Sequence, residues 1–345
     1  YWLMYLLPAI PALILARRFD RMDLVFTFSL WLLFTLLIGF RYQVGGDWFN
    51  YLENYEREIG QTFWETVFGG WDPGYALLNW VSAQQGWGIE FVNLVSGGIF
   101  LAGLIAFCRQ QPSPWLAFAV AVPYLVIVIG MGYTRQGVAL GLFFWALVYL
   151  EREKLWHFLL LVGLAALFHK SAVLAVPLGL AIAGKNRYFQ SLAVIAVGLG
   201  LWDMLLESHQ ERLWQSYVED QMYSEGALIR VVMNMVPGLL LLFYWKRWQP
   251  RFPRGDFWLW LAVVSIISVF LVNFATTAVD RVAFYLAPVQ VAVFSRLPFM
   301  LKRQFDPKMT TLFIILGYAA VLYVWLNYAI HAKFWIPYQN SLFLN

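Results

Sequence analysis

The chain alternates between apolar segments of roughly 14 to 20 residues and short polar turns. The apolar segments are 2–16, 23–40, 89–107, 115–131, 135–150, 155–168, 171–184, 189–206, 230–245, 257–275, 281–297 and 310–329. A helix of about 20 apolar residues crosses the hydrocarbon core of a bilayer, which is roughly 30 Å thick. The pattern therefore predicts an all-α integral membrane protein with about 12 transmembrane helices, forming one domain over residues 1–345.

Two of these segments, 155–168 and 171–184, are short for a full crossing. Such segments are tolerated as tilted or broken helices where they line a cavity away from lipid. Two polar stretches, about 41–88 and 207–229, are too long to be simple turns, and we expect both on the outer face. The first contains an amphipathic segment at 49–55 and a weakly apolar one at 75–81, which is too short to span. The acidic residues of 207–226 suggest a lid over a cavity.

Basic residues fall into two sets. Sixteen of the 24 lie in alternate turns: Arg17, Arg18, Arg21, Arg109, Arg152, Lys154, Lys185, Arg187, Lys246, Arg247, Arg251, Arg254, Arg296, Lys302, Arg303 and Lys308. Excess Lys and Arg mark cytoplasmic turns, so these should face the cytoplasm, with both termini outside. The other eight then face outward: Arg41, Arg57, Arg135, Lys170, Arg212, Arg230, Arg281 and Lys333. Cations at helix ends are costly to desolvate unless they meet an anion, so we expect a multivalent anionic substrate on the outer face.

Composition agrees with a membrane protein. Hydrophobic residues make up 61% of the chain, charged residues 13%, and the mean hydropathy is +0.63. The net charge of +4 lies in short turns, so topology explains it and nucleic acid is not an expected partner. Cys108 is the single cysteine, which excludes an internal disulfide and a cysteine-based metal cluster. Nucleotide-binding, dinucleotide and zinc-protease motifs are absent, and we expect neither cofactor nor metal.

The stretch from Arg41 to Asp47 is the first candidate for chemistry. Its two glycines, Gly45 and Gly46, permit a ligand to approach the backbone closely. Arg41 offers a planar fork of donors for phosphate, and Asp47 is a possible general base. The alternative is a glycine turn with Arg41 as an interfacial anchor. Further along, Asp72 precedes Pro73, and could hold a sugar hydroxyl or simply cap the helix that follows.

Arg135 lies at the predicted start of a helix, where a cation opposes the helix dipole. Such a position disfavours stability and favours phosphate binding. Arg230, with Asn234 one turn later, and Arg281 repeat this arrangement, although Asp280 next to Arg281 allows a simple ion pair. His169 titrates near neutral pH and could act as acid, base or phosphate ligand, or serve only as a helix cap.

These clusters, in this order, resemble the EpsG family of Wzy-type polysaccharide polymerases. The resemblance covers nearly the whole chain and rests on Arg41, Gly46-Asp47, Tyr51, Asp72-Pro73-Gly74-Tyr75, Arg135-Gln136, His169-Lys170-Ser171, Arg281, Tyr285 and the tail 335–340. The chain has Gly46 where the family often has Thr or another small residue before the Asp. The variable loops of the family leave the segment 207–226 without a transferable role.

The resemblance implies a metal-independent glycosyltransferase of the GT-C type, with a cavity open to the outer leaflet of the bacterial inner membrane. Its substrates would be polyprenyl-diphosphate-linked oligosaccharides, and a chain-length regulator and a flippase are possible partners. His169, slightly preferred, or Asp47 would be the base, and displacement in one step would invert the anomeric centre. The binding residues would be Arg41, Tyr51, Asp72, Arg135, Gln136, Arg230, Asn234, Asp280, Arg281 and Tyr285. The alternatives are a flippase or other transporter of lipid-linked oligosaccharides and an O-antigen ligase.

Overall fold

The computed structural model describes residues 1–15, 23–69, 72–182, 187–205, 226–252 and 255–344. Within these ranges the chain is helical, and an isolated antiparallel bridge between Arg41 and Asn340 is the extended pairing found there. The prediction of an all-α protein is therefore confirmed. The stretch predicted as a lid, 207–226, falls outside the described residues except for Gly226.

The first half of the described chain contains ten helices. They are α1 (Trp2–Ile14), α2 (Leu24–Gly39), α3 (Trp48–Glu58), α4 (Phe63–Gly69), α5 (Pro73–Gln85), α6 (Gly88–Cys108), α7 (Pro114–Gly132), α8 (Thr134–Leu150), α9 (Leu155–Phe168) and a 3₁₀ helix (Lys170–Ile182). The second half continues with α10 (Arg187–Leu205), α11 (Ala227–Phe243), α12 (Trp245–Trp248), α13 (Asp256–Leu271), α14 (Thr276–Leu286), α15 (Pro288–Leu301) and α16 (Pro307–Tyr328). Two short 3₁₀ turns, Ile330–Phe334 and Ser341–Phe343, end the described chain.

Length and composition identify membrane-crossing helices among the described residues. Four are long and apolar enough to cross alone, namely α6, α7, residues Tyr188–Leu205 of α10, and α16. The pair α14 and α15, bent by 40° at Ala287, passes the same test as one span. Shorter apolar helices, of 10–17 residues, account for the other predicted segments. The membrane class is thereby supported, while the number twelve stays a prediction.

The segment predicted as the first outer loop is itself helical. Helix α3 confirms the amphipathic pattern, because Trp48, Tyr51 and Tyr55 recur on its buried side. The rings of Tyr51 and Tyr75, the latter on α5, lie 5.7 Å apart. This aromatic contact fixes α3 and α5 to each other, so the polar residues that flank them have defined positions.

Helix α7 contains a π-helical stretch, Val122–Ile129, that the sequence pattern did not reveal. Trp335, near the end of the chain, donates its indole N–H to the carbonyl oxygen of Ile127 at 2.9 Å. Gly132 lies against the same ring, and a Cβ there would stand 2.5 Å from it. π-Helical turns break the regular pattern of backbone hydrogen bonds. The C-terminal tail therefore packs against the C-terminal half of α7.

Helices α6 and α8 pack with their backbones in contact. A Cβ on Gly103 would lie 1.8 Å from the carbonyl oxygen of Gly141, and a Cβ on Gly141 would lie 2.4 Å from the Cα of Phe100. Small residues at such crossings are typical of membrane helices, since close approach increases van der Waals contact. The crossing sets the position of α8, which carries Arg135 near its start.

Gly103→Ala should destabilise the fold by about 2 kcal/mol or more, because neither backbone can retreat from the added methyl group. Gly163→Ala is the control, since a Cβ at that helical glycine meets nothing within 4 Å. Helix propensity alone should stabilise that variant by up to about 1 kcal/mol. Thermal unfolding of the purified protein in detergent measures both changes. Equal melting temperatures for the two variants would contradict the close crossing.

Candidate functional site

Arg41 does not occupy the position expected of a ligand-binding residue. Its side chain is buried, with 2% of the residue exposed. One Nη donates to the carbonyl oxygen of Ile38 at 2.7 Å, and the other donates to Asn93 Oδ1 at 3.0 Å and Thr134 Oγ1 at 2.8 Å. These contacts join α2, α6 and α8. Arg41 therefore holds three helices together. Its buried Nε, like that of Arg281, has no partner among the described residues, and its assignment to the diphosphate site stays a prediction.

A glycine at position 45 is also required for a structural reason. Its φ angle of +109° is in the region that favours glycine, and a Cβ there would lie 2.5 Å from the carbonyl oxygen of Met131. The backbone N–H of Gly45 donates to the carbonyl oxygen of Phe334. The glycines thus allow the chain to pass between α7 and the C-terminal tail, which favours the glycine-turn interpretation.

Asp72 and Arg135 form an ion pair between α5 and α8. Arg135 Nη1 lies 2.7 Å from Asp72 Oδ2, with 38% of the arginine side chain exposed against 6% for the aspartate. Asp72 stands at the N-cap of α5 but makes no side-chain cap hydrogen bond, so the capping interpretation fails. Burial raises the pKa of the Asp72 carboxyl, and the charges of Arg135 and Lys170 oppose this rise. The half-exposed guanidinium also lies over the ring of Tyr51, 5.8 Å from its centroid.

His169 begins a hydrogen-bonded chain at the junction of α9 and the 3₁₀ helix. Its Nδ1 lies 2.6 Å from Ser171 Oγ, and Ser171 Oγ lies 3.1 Å from Tyr285 Oη on α14. The backbone N–H of Ser171 also donates to Nδ1, at 3.3 Å. Two tautomers are compatible with these contacts: Nδ1 accepts from the Ser171 N–H, with the ring proton on Nε2, or Nδ1 donates to Ser171 Oγ, with Nε2 free to accept. The contact between Nδ1 and the Ser171 N–H, in the first turn of the 3₁₀ helix, is one that a helix cap would make, so the helix-cap interpretation is retained.

Three cations surround this imidazole. Burial lowers the pKa of His169 well below its usual value, and the charges of Arg281, Arg135 and Lys170 lower it further. The ring is therefore neutral at neutral pH. A neutral ring with its proton on Nε2 is a hydrogen-bond donor, and the three cations around it create a positive potential suited to an anion.

Arg281 contacts Gln136, the residue that follows Arg135. Its Nη1 donates to Gln136 Oε1 at 2.7 Å, and its guanidinium lies 5.9 Å from the ring centroid of Tyr133. The Nε of Arg281 and the Nε2 of Gln136 are buried donors with no hydrogen-bond partner among the described residues. A ligand oxygen would satisfy donors of this kind.

The dipole argument applied to Arg281 was wrong. Helix α14 begins at Thr276, so Arg281 lies beyond the first turn, where the terminal partial charges have fallen off. The argument does fit Arg135, the second residue of α8, and Arg230, the fourth residue of α11. Asp280 forms an ion pair with Arg230 Nε, so the carboxylate next to Arg281 in the sequence is engaged by another arginine.

Asn234 faces away from these cations although it is one turn from Arg230. It is buried, donating to the carbonyl oxygen of Ala283 at 2.8 Å and accepting from Gln290 Nε2 at 2.7 Å. The chain of bonds ends at Tyr318, which donates to Gln290 Oε1. Asn234 therefore connects α11, α14, α15 and α16, and its assignment to the binding site stays a prediction.

Asp47 lies at the start of α3, half-exposed and without a side-chain cap hydrogen bond. It lies close enough to two tyrosines to act on them electrostatically, raising the pKa of Tyr51 and of Tyr133 beyond the larger effect of burial. Tyr51 and Tyr133 carry Arg135 and Arg281 over their rings. Asp47 is thus a half-exposed carboxylate near the two tyrosines that contact Arg135 and Arg281.

Glu58 and Lys170 are polar neighbours that the sequence analysis did not place in the site. Burial raises the pKa of Glu58 to about 7, while Asn79 and Arg135 act in the opposite direction. Lys170 contributes its charge to both His169 and Asp72. Lys170 was visible as an outward cation, but nothing in the pattern marked Glu58, since it ends an amphipathic helix with charged residues throughout.

We refer to ten residues collectively as the polar cluster: Asp47, Tyr51, Asp72, Arg135, Gln136, His169, Lys170, Ser171, Arg281 and Tyr285. Residues from five separate stretches of chain meet there, and cations exceed carboxylates. Arg230 and Asp280 lie next to it, since the charges of both act on Tyr133. The arrangement can bind a multivalent anion, donate hydrogen bonds to its oxygens and offer a carboxylate to a reacting hydroxyl.

The chain matches a known protein family along most of its length. The family model described as the EpsG family matches residues 24–340 of the 345-residue chain. No curated protein and no solved structure matches the chain. The matched range includes every residue of the polar cluster, as well as Arg41 and the tail residues up to Asn340.

Glu58 should give the protein a pH-dependent stability. Its pKa is raised on folding from about 4.5 to about 7, so its favourable contribution is complete below pH 4.5 and is lost as the pH rises through 7. Glu58→Gln should therefore melt at a higher temperature than the wild type at pH 8, and the difference should shrink toward pH 5. Thermal unfolding of both proteins across this range checks it. Parallel curves would contradict the raised pKa.

Proposed function

Since the chain belongs to the EpsG family, we propose that it is a polysaccharide polymerase acting on polyprenyl-diphosphate-linked oligosaccharides. The reaction joins the sugar chain of one lipid-linked unit to another and releases polyprenyl diphosphate. We place the active site at the polar cluster, on the periplasmic face of a bacterial inner membrane. The observation that carries the proposal is the group of three cations, Arg135, Lys170 and Arg281, around the neutral ring of His169.

The leaving diphosphate needs charge stabilisation, and preorganised donors that supply it often account for most of the rate enhancement in such reactions. Arg281 is the best-placed donor, because its Nη1 holds only the neutral Gln136 and its Nε has no partner among the described residues. Arg135 shares its charge with Asp72 but keeps a half-exposed guanidinium. Lys170 adds a further positive charge near both. In this proposal His169 donates its Nε2 proton to a phosphate oxygen as a hydrogen bond.

A base must take the proton of the incoming sugar hydroxyl. We prefer Asp47 over His169 for this role, because in the tautomer where Nδ1 accepts from the Ser171 N–H the ring has no free acceptor. In the step itself, the acceptor oxygen forms a bond to the anomeric carbon, and the bond from that carbon to the diphosphate oxygen breaks. The hydroxyl proton goes to Asp47, and the electron pair leaves with the diphosphate. A single displacement inverts the anomeric centre.

A transporter and an O-antigen ligase are the two alternatives to a polymerase. A transporter would carry ionisable residues near the middle of the membrane. Here another buried ion pair, between Arg296 and Glu151, lies where α8 ends, near the turns rich in basic residues. An O-antigen ligase would share the cluster and differ only in its acceptor. A chain-length regulator and a flippase are partners that a polymerase of this kind would need.

Arg281→Ala should reduce polymer formation by about 100-fold or more, the scale for losing one preorganised donor to a developing anion. Arg281→Lys should restore little, because an ammonium group lacks the planar fork of donors. Removing Arg281 leaves no buried carboxylate unpaired, so the fold should survive. The measurements are polymer yield from lipid-linked units and binding of inorganic diphosphate by the purified protein.

Arg57→Ala is the matched control, since Arg57 is 67% exposed in an ion pair with Glu53 on the same outer segment. It should retain full activity. Arg135 requires a double variant, Arg135→Gln with Asp72→Asn, because Asp72 would otherwise remain buried without its partner. Normal polymer yield from both Arg281→Ala and the double variant would remove these arginines from the reaction.

Asp47→Asn should slow polymerisation by about 100-fold or more, the scale of general-base catalysis, while binding of inorganic diphosphate stays normal. His169→Ala should instead weaken diphosphate binding, because it removes a donor. Asp203→Asn, an exposed carboxylate near the end of α10, serves as the control. If Asp47→Asn is fully active while His169→Ala binds diphosphate normally and makes no polymer, the base is His169.

A further inference from the structure

An apolar groove of about 290 Å³ leads away from the polar cluster. One wall is the 3₁₀ helix, another is formed by Trp260 and Val264 of α13, and the third by Val282, Tyr285 and Leu286 of α14. Tyr285 belongs to both structures, because its hydroxyl accepts the hydrogen bond that starts the chain to His169. The groove therefore begins at Tyr285, at the edge of the polar cluster.

The 3₁₀ conformation of Lys170–Ile182 shapes this groove. Runs of 3₁₀ helix longer than three or four residues are uncommon, and here the run covers 13 residues. With three residues per turn, side chains at i and i+3 eclipse each other and form straight columns. Leu174, Pro177 and Leu180 form one such column, and Ala175, Leu178 and Ala181 form the next. An α-helix would rotate these residues progressively away from the groove.

The first column begins at Ser171, which lies one 3₁₀ turn before Leu174. From Ser171 to Leu180 the helix rises roughly 18 Å at about 2 Å per residue. One leaflet contributes about half of the roughly 30 Å hydrocarbon core. The groove thus runs about one leaflet deep, with a polar, cation-rich end and an apolar remainder. Leu174 and Leu180 stay 55% and 44% exposed along it.

We propose that this groove holds the isoprenoid chain of the lipid-linked substrate, with its diphosphate at Arg281 and Arg135. The proposal rests on the proposed function and adds the position of the lipid chain. Charge complementarity favours an anionic lipid headgroup at the Tyr285 end. The straight columns favour an extended chain alongside the 3₁₀ helix.

A second apolar groove, of about 490 Å³, provides the comparison. It lies between α11, α15 and α16, and the residues that line it include none of the polar cluster. Gly317 lies on its wall, and a Cβ there meets nothing within 4 Å. Filling either groove with one tryptophan therefore changes apolar volume in both cases, but blocks the path from the cluster in only one.

The test measures binding of farnesyl diphosphate and of inorganic diphosphate to the purified protein in nanodiscs. Ala181→Trp should weaken farnesyl diphosphate binding by roughly tenfold, the effect of excluding about one branched apolar unit from contact. Its binding of inorganic diphosphate should be unchanged, which also shows that the fold is intact. Gly317→Trp should alter neither. Equal farnesyl diphosphate affinity for the wild type and Ala181→Trp, or weakening by Gly317→Trp alone, overturns the proposal.

A photoreactive amino acid at Leu174 supplies a measurement that does not require a filled groove. It should cross-link to farnesyl diphosphate, and the same amino acid at Leu199, an exposed position on α10, should not. Equal cross-linking at both positions would count against the groove. Failure of the proposed function gives a different result, because Arg281→Ala would then leave binding of both diphosphates unchanged.

Discussion

The buried guanidinium of Arg41 fixes three helices relative to one another, and the polar cluster is assembled around them. Burial of a charged group is costly unless its donors are satisfied, and here Ile38, Asn93 and Thr134 accept from it. These three acceptors come from α2, α6 and α8. Removing one partner would leave a buried charge uncompensated, so the three helices are held in one arrangement. Thr134 immediately precedes Arg135 and Gln136, and the contact thereby sets where α8 presents them.

Around that fixed point, the positive charges are only partly neutralised. Asp72 pairs with Arg135 and Asp280 pairs with Arg230, while Arg281 contacts the neutral Gln136. The carboxylates orient their arginines and limit the electrostatic repulsion between them. Without such partners, cations this close would repel one another and destabilise the fold. The remaining positive potential is what an anionic group would complete, and it adds to burial, the larger cause, in keeping His169 neutral.

The residues that carry the family resemblance separate into two physical groups. The first group holds one end of the bundle together and consists of Arg41, Gly45, Trp335, Tyr338 and Asn340. Trp335 donates to a carbonyl oxygen of the π-helical stretch, Tyr338 donates to the carbonyl oxygen of Leu37, and Asn340 pairs with the backbone at Arg41. Asp72, Arg135, Gln136, His169, Arg281 and Tyr285 face one another in the polar cluster. The motifs in the sequence thus mark residues that hold the surrounding helices in place as well as residues that lie in the polar cluster itself.

Local patterns in the sequence were sufficient to predict the membrane class, the helical fold, the amphipathic segment at 49–55, which lies within α3, and most of the residues in the polar cluster. They were sufficient because hydrophobic periodicity and the position of charges are local properties of the chain. Which charges pair could be learned only from the folded protein, because Arg41 and Asn93, or Arg230 and Asp280, are brought together by helix packing across tens of residues. The same holds for the 3₁₀ form of Lys170–Ile182, the π-helical turn of α7 and the position of Glu58. Trp335 contacts the π-helical turn and Asn79 of α5 neighbours Glu58, and both are distant in the sequence from the residue they contact, so no local pattern encodes them.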